Sequence, residues 1–197
     1  EDVDAEGLAV DEAGRAYVSF EAFHRIRRYD QIDASAVDIP AHPDFSGLQN
    51  NSGLEALAMD EAGRLYAIPE RSGAWERPFP LYVWDGKRWS VGARIPRRGK
   101  FLVVGADVGP DGRLYLLERD FRWAGGFANR IRRFDLEGGE VRNEQTLLET
   151  QFGSLDNYEG ISVWKDALGT TRATLVADDN FIAIQQTVIS EYIHLGE

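Results

Sequence analysis

Cysteine is absent from the 197 residues of this chain, and histidine occurs only three times. The lack of cysteine excludes disulfide bonds, thiolate metal ligands and a thiol nucleophile. His24, His42 and His194 are scattered without the spacing of a metal site or a catalytic triad. His24 falls in a predicted loop between two strands, from which it could reach the face that carries the candidate site, and the alternative that we favour is a surface role. The Gly-x-Ser-x-Gly turn of serine hydrolases is also missing. The sequence therefore does not support a side-chain nucleophile.

Positive charge is scarce as well, since 22 lysines and arginines stand against 33 aspartates and glutamates and leave a net charge of −11. This excess argues against a nucleic-acid ligand and against an anionic membrane surface, whereas it suits a protein that collects cations. No apolar run reaches the roughly 18 residues that a membrane span needs, and no signal peptide is present. Because the chain begins at Glu1 rather than Met, we expect an upstream segment to have been removed.

What the chain does contain is a repeated pattern of short strands. Residues 4–21 read as strand, tight turn and strand, with Asp11-Glu12-Ala13-Gly14 as the turn. Residues 53–70 repeat this pattern 49 positions later, residues 112–118 repeat its second half, and residues 156–180 form a looser fourth copy. A repeat near 50 residues that is built from short β units is typical of a β-propeller.

Each repeat also carries signals for outer strands, in which apolar and polar residues alternate. Third strands are predicted at 25–30, 81–86, 130–135 and 188–195, and fourth strands at 35–39, 89–95 and about 145–149. The arginine-rich third strand at 25–30 is predicted to be half solvated, and residues 130–135 are nearly a copy of it. We expect an all-β fold, a β-propeller of four-stranded antiparallel blades without helices. The whole chain, 1–197, is predicted to be one domain with repeat units at about 4–40, 51–96, 101–150 and 156–197.

The last repeat has no fourth strand of its own. Only Glu1 to Val3 precede the first strand, which is too little to supply the missing one. Because an unpaired sheet edge is a liability, we expect upstream sequence that closes the ring, with about four blades in this chain and five or six in the complete protein. The alternative is a small four-bladed ring with an imperfect seam.

Carboxylates recur at positions that a propeller places on one face, at the mouth of its central channel. Inner strands begin with Glu6, Glu55 and Glu159, and Asp107 lies three positions deeper in the third inner strand. Second strands end with Glu21, Glu70, Glu118 and Asp178. The Asp-Glu-Ala-Gly-Arg turns fall on the far side and are predicted to be only structural.

Carboxylates that converge need protons, arginine partners or a cation. Oxygen-only ligands favour Ca²⁺ or Mg²⁺ over Zn²⁺. We therefore predict a Ca²⁺ site, or alternatively a Mg²⁺ site, with the ligands Glu6, Glu55, Asp107 and Glu159 and with support from Asn51, Asn157, Asp178, Asp179 or Asn180. The alternative is that these side chains accept backbone N–H bonds from a neighbouring blade and lock the ring.

Loops on the same face combine arginine with tryptophan: Arg71 and Trp75 in the second repeat, Arg119 and Trp123 in the third. Guanidinium groups bind phosphate or carboxylate in bidentate contacts, so these four residues are candidates for binding a small anionic substrate. The alternative is that Arg71 and Arg119 neutralise Glu70 and Glu118. A solvated turn is predicted for residues 97–100.

Several segments of the sequence resemble the phytase-like family of bacterial proteins, whose description is "esterase-like activity of phytase". The matching segments are Asp4-Ala5-Glu6-Gly7-Leu8-Ala9, residues 51–57, Leu116-Leu117-Glu118-Arg119 with residues 126–127 and 130–131, Asp156-Asn157-Tyr158-Glu159-Gly160-Ile161, and Asp178-Asp179-Asn180-Phe181 with residues 185–187. The resemblance spans nearly the whole chain and implies a β-propeller that is usually exported to the periplasm. The family's usual sequence begins earlier, with at least one further blade.

A looser resemblance links the Glu-Gly pair of the inner strands to the divalent-metal site of gluconolactonase-type propellers, where the metal polarises an ester carbonyl and an Asp acts as base. It implies such parts for Glu6, Asn51, Asp107 and Glu159. Our first hypothesis is a metal-dependent hydrolase of a phosphate ester, ester or lactone, in which Asp178 or Asp179 orients the attacking water. The second is a non-catalytic binding or scaffold propeller whose carboxylates brace the blades.

Overall fold

The computed structural model describes residues 4–21, 23–49, 52–154, 157–179 and 186–193, and these residues form mainly β-strands. Their one helix is a short 3-10 helix at Pro43–Gly47. No helix in the described part of the chain has the length and apolar character that crossing a membrane requires. The chain divides into two compact units, Glu1–Gly99 with Glu137–Glu140 and Lys100–Leu136 with Val141–Glu197.

The first unit contains two four-stranded antiparallel sheets, in each of which consecutive strands are neighbours. One sheet consists of β1 (Ala5–Val10), β2 (Ala16–Phe20), β3 (Arg25–Tyr29) and β4 (Val37–Ile39). The other consists of β5 (Ala56–Met59), β6 (Leu65–Ile68), β7 (Phe79–Trp84) and β8 (Trp89–Ile95). The core of this unit includes Ile26, Phe45, Leu57, Leu65 and Trp84.

The second unit contains the other two sheets. One consists of β9 (Leu102–Val108), β10 (Arg113–Arg122), β11 (Gly126–Glu137) and β12 (Glu140–Glu149). The last has three strands among the described residues, β13 (Tyr158–Lys165), β14 (Thr171–Ala177) and β15 (Val188–Ile193). Its core includes Tyr115, Leu117, Ile131, Val163 and Leu175. The four sheets are blades of a β-propeller, so the predicted fold class is confirmed.

The first hairpin of each blade is fixed by local hydrogen bonds within its turn. Asp11 Oδ1 accepts the backbone N–H groups of Ala13 and Arg15, and Arg15 Nε donates to Asp11 Oδ2 at 2.7 Å. Gly14 adopts a φ of 77°, which glycine tolerates without the strain that a side chain would bring. The second blade repeats the ion pair between Asp60 and Arg64 at 2.7 Å. Because these side chains are used inside the turn, their role is structural, as the sequence predicts.

The arginine-rich third strand of the third blade, β11, is buried over residues 128–134, whereas β3 of the first blade is mostly half-buried. Arg132 is fully buried, and its guanidinium donates to both oxygens of the buried Glu118 carboxylate at 2.6 and 2.8 Å. Arg130 Nε donates to the same carboxylate at 2.7 Å. A buried charge is tolerated only when it is paired and hydrogen-bonded. Glu118 therefore belongs to the β10–β11 pairing, and the alternative that Arg119 neutralises it is wrong.

Candidate functional site

Three carboxylates of the first unit come together beside the starts of β1 and β5. One oxygen atom from each of Glu6, Glu21 and Glu55 lies within 4.8 Å of the other two. Glu6 lies in β1, Glu21 follows β2, and Glu55 precedes β5. Two of the predicted cation ligands, Glu6 and Glu55, are thus neighbours, and Glu21 joins them although the sequence pattern assigns it no ligand role.

A β-bulge lies at the first of these glutamates. The pairing of β1 with β2 shifts register between Ala5 and Leu8, which brackets Glu6. The pairing of β13 with β14 shifts in the same way between Tyr158 and Gly160, at Glu159. Bulges commonly re-aim side chains next to functional sites. Alternation of apolar and polar residues carries no sign of such a shift, so sequence analysis does not detect it.

The carboxylate cluster holds one of its members in the protonated form at neutral pH. Burial, followed by the charge of Glu6 and a side-chain hydrogen bond to Glu6, raises the pKa of Glu55 to about 9, with further contributions from Glu70 and Glu21. A hydrogen bond between two carboxyl groups requires a proton. A divalent cation would replace this proton and offset two of the three negative charges of the cluster, and an all-oxygen donor set fits Ca²⁺ or Mg²⁺.

The loop that carries Glu55 is tied to the first blade by Glu21. Glu21 Oε1 accepts the backbone N–H of Gly53 at 3.2 Å. A Cβ on Gly53 would lie 2.9 Å from His24 Nδ1 and 3.3 Å from Glu21 Cγ, so only glycine fits between these side chains. Both ring nitrogens of His24 are buried, and neither has a hydrogen-bond partner in the described part of the chain. The half-buried His24 therefore packs beside Glu21 and Gly53, which agrees with the alternative of a position near the site rather than with a surface role.

Arg71 and Trp75 follow β6 in the same unit. Arg71 Nε donates to Ser52 Oγ at 2.7 Å and to the buried carboxylate of Glu70 at 3.2 Å, so Arg71 does neutralise Glu70. The Arg97 guanidinium lies 4.7 Å from the ring centroid of Trp75. These contacts correct the prediction that residue 97 belongs to a solvated turn. Arg71, Trp75 and Arg97 line a pocket of about 180 Å³.

In the second unit, Glu159 is bound by an arginine and an amide. Arg119 Nη1 donates to Glu159 Oε1 at 2.5 Å and also to Asn157 Oδ1, and Asn157 Nδ2 donates to Glu159 Oε1 at 2.7 Å. Arg119 stands 49 residues after Glu70 and 98 after Glu21, so it occupies the same position of the repeat. A count by the repeat length therefore indicates that an arginine replaces a carboxylate here.

The remaining predicted site residues that the structure describes belong to the second unit. Asp107 Oδ2 accepts the backbone N–H of Val163 at 2.6 Å, and burial raises the pKa of Asp107 to about 6. Asp178 is exposed and its backbone N–H donates to Asn157 O at 3.1 Å, whereas Asp179 is half-buried. Trp123 is 95% exposed. Asn51, Asn180 and His194 lie outside the described residues. The roles predicted for all of these residues stay predictions.

Comparison with solved structures supports the propeller fold. An α-L-arabinanase from Penicillium chrysogenum, complexed with arabinobiose, is similar with a TM-score of 0.60 and 13% identity, over 96% of this chain and 62% of that one. A gluconolactonase from Xanthomonas campestris is similar with a TM-score of 0.54 and 15% identity, over 94% of this chain and 61% of that one. This chain thus spans less than two thirds of either enzyme. Identities this low show a shared fold, and fold by itself does not imply function.

A protein of unknown function from Dyadobacter fermentans is similar with a TM-score of 0.59 and 12% identity, over all of this chain and 67% of that one. A comparison with the curated proteins gave no match. A family model described as phytase-like, esterase-like activity of phytase, matches residues 1–181. Because this match covers nearly the whole chain, the chain belongs to the phytase-like family.

Proposed function

We propose that this chain is a divalent-metal-dependent hydrolase of a small anionic ester, a phosphate ester or a lactone. The observation that carries the proposal is the approach of Glu6, Glu21 and Glu55 to within 4.8 Å of one another. Family membership supports an esterase-like activity, and the gluconolactonase of the same fold supports the inclusion of lactones. The family resemblance also supports export to the periplasm as part of the proposal.

In this proposal Glu6, Glu21 and Glu55 hold the cation, and Arg71 binds the anionic group of the ester. A divalent cation supplies Lewis-acid polarisation of the ester oxygen. Glu55 would give up its proton when a cation binds, and the Gly53 N–H bond keeps Glu21 in position. Asp178 or Asp179 is proposed to orient the attacking water. Asp107 and Glu159, with Asn51, Asn157 and Asn180, remain proposed ligands from the sequence.

Thermal unfolding of the EDTA-treated protein, with and without millimolar CaCl₂ or MgCl₂, tests the cation site. A ligand at 100 times its Kd stabilises the native state by about 2.7 kcal/mol, which raises the Tm of a chain of this size by several degrees. We expect this rise in the natural protein and in the matched control Glu61→Gln. This control removes an exposed carboxylate from a turn of the second blade, to which Glu55 also belongs. The double variant Glu6→Gln/Glu55→Gln should lose it.

A rise that persists in the double variant, or no rise in the natural protein, would contradict the cation site. If the rise is present, phosphate esters and lactones are then screened with that cation. Hydrolysis that is lost in Glu6→Gln/Glu55→Gln but kept in Glu61→Gln would support the enzyme. Binding of the cation without hydrolysis of any of these esters would contradict the hydrolase.

A second candidate is a non-catalytic binding or scaffold propeller with structural carboxylates. It is favoured by two hydrogen bonds that join neighbouring sheets within a unit, from Gly53 N–H to Glu21 and from Val163 N–H to Asp107. This candidate predicts that no divalent cation raises the Tm. It also predicts that Asp107→Ala destabilises the protein by about 1–3 kcal/mol, because a buried N–H loses its acceptor.

A further inference from the structure

We propose that the second blade carries an anion-binding pocket, formed by Arg71, Arg77 and Arg94, for a compact oxyanion such as a carboxylate, sulfate or phosphate group. This inference deepens the proposed function, because the pocket would hold the anionic group of the ester. The identity of its biological ligand therefore rests on the proposed function. The binding itself can be measured without cation and without substrate.

The pocket is a cavity of about 210 Å³ within the first unit. This volume is several times the minimum of about 10–15 Å³ that a cavity needs to hold one water. This is room for an oxyanion together with part of the group that carries it. Its polar lining consists of Arg71, Arg77, Arg94, Gln49, Ser52, Ser72 and Tyr82.

Positive charge is concentrated here although the chain as a whole carries a net charge of −11. The Arg71 guanidinium is matched by Glu70. The guanidinium groups of Arg77 and Arg94 have no carboxylate within 4.0 Å in the part of the chain that the structure describes. On the Tyr82 side of the pocket, Asp44 accepts the Tyr82 hydroxyl at 3.2 Å. The lining therefore has positive charge that its neighbouring carboxylates do not pair.

The loop that forms one wall of the pocket is held in place by protein contacts. Gly73 adopts a φ of 87°, and a Cβ there would lie 3.0 Å from Arg77 Nη1, so glycine allows both the turn and the close approach of the guanidinium. Arg97 Nη1 lies 3.4 Å from Ser72 Oγ and 3.3 Å from Ala74 O and donates to both. The Arg97 guanidinium stacks on Trp75. The wall is thus ordered before any ligand arrives, which lowers the entropic cost of binding.

Guanidinium groups recognise oxyanions through paired N–H donors in a planar fork. Three such groups line this pocket, and together they can bind a carboxylate or a tetrahedral oxyanion. Because the pocket is open to solvent, the attraction weakens as salt is added. Binding of millimolar strength or tighter is expected at low ionic strength.

The test is thermal unfolding and isothermal titration of the EDTA-treated full chain with sodium sulfate, phosphate or acetate, against sodium chloride at equal ionic strength. We expect at least one of the three oxyanions to raise the Tm beyond chloride. The double variant Arg77→Gln/Arg94→Gln should bind it at least tenfold more weakly. Arg88→Gln is the matched control, because Arg88 lies in the same blade, is 86% exposed and pairs with Asp85.

The double lysine variant Arg77→Lys/Arg94→Lys keeps the positive charge but loses the planar, two-pronged guanidinium donors. Its oxyanion affinity should therefore lie between that of the natural protein and that of Arg77→Gln/Arg94→Gln. Equal oxyanion effects in the natural protein and in Arg77→Gln/Arg94→Gln would overturn the pocket. The absence of any effect beyond chloride in the natural protein would overturn it as well. The result is independent of the carboxylate cluster, because Glu6→Gln/Glu55→Gln should keep the oxyanion effect while it loses the cation effect.

Discussion

At the scale of single residues, one position of the repeat decides how the glutamate of the next inner strand is neutralised. Glu21 and Arg119 occupy this position in the first and third blades. Arg119 donates to Glu159, whereas Glu21 adds a third carboxylate to Glu6 and Glu55. An arginine at this position provides the positive charge itself, and a glutamate leaves the cluster dependent on a proton or a cation.

This dependence predicts a pH effect on stability. The pKa of Glu55 is raised from 4.5 to about 9 in the folded protein, so the stability linked to its proton is fully present below pH 4.5 and is lost as the pH rises towards 9. Glutamine at this position is neutral at every pH. We expect the Tm of the cation-free natural protein to fall between pH 6 and pH 9 by several degrees more than that of Glu55→Gln.

The same titration separates the proton from the cation, because both compete for the same oxygens. The Tm rise caused by CaCl₂ should be larger at pH 8.5 than at pH 6 in the natural protein. If the Tm of the natural protein and that of Glu55→Gln change with pH in parallel in the absence of a cation, Glu55 does not hold the proton.

At the scale of the elements, inner strands approach each other closely where a glycine stands. A Cβ on Gly7 of β1 would lie 2.9 Å from the carbonyl oxygen of Glu55 and 2.8 Å from Ser19 Oγ. Ser19 Oγ donates to Leu54 O at 2.5 Å and accepts the N–H of Gly7 at 2.8 Å. Gly105 of β9 has the corresponding place in the second unit, where an added Cβ would lie 3.1 Å from the carbonyl oxygen of Glu159. The repeat thus includes the packing of one blade on the next.

Substitution of these glycines by alanine should therefore destabilise the chain, and the loss of stability should be larger where the added methyl group has less space. Overpacking typically costs about 1–3 kcal/mol. We expect Gly7→Ala to lower the free energy of unfolding in urea by an amount in this range, and Gly105→Ala by less, because its nearest backbone atom is farther away. In the control Gly47→Ala, the added methyl group meets no atom within 4 Å. Equal stabilities of Gly7→Ala and Gly47→Ala would contradict this account of the packing.

At the scale of the whole molecule, the net charge of −11 makes the folded chain repel itself. Monovalent salt screens this repulsion, since the Debye length falls to about 10 Å at 0.1 M. We expect KCl to raise the Tm of the natural protein and of Glu6→Gln/Glu55→Gln alike when its concentration increases from about 10 to about 150 mM. Because this effect is general, it provides the baseline for the specific effect of CaCl₂ at equal ionic strength. A KCl response confined to the natural protein would assign the charge effect to the cluster alone.

The sequence by itself determined the fold class, because the signals for it are local. Alternation of residues forms each strand, and the turn at Asp11 to Arg15 closes its hairpin through contacts that span only four positions. The 49-residue recurrence then indicates several equal blades. Matching segments along nearly the whole chain also identified the family.

Only the tertiary structure decided which charged groups meet. Glu21 reaches Gly53 across 32 positions, Arg119 reaches Glu159 across 40, and Arg132 is buried against Glu118 by the register of β10 and β11. Such partners depend on strand register, bulges and the packing of one sheet on the next. Register and bulges leave no trace in the alternation of apolar and polar residues, so the candidate ligands could be named from the sequence but their neighbours could not.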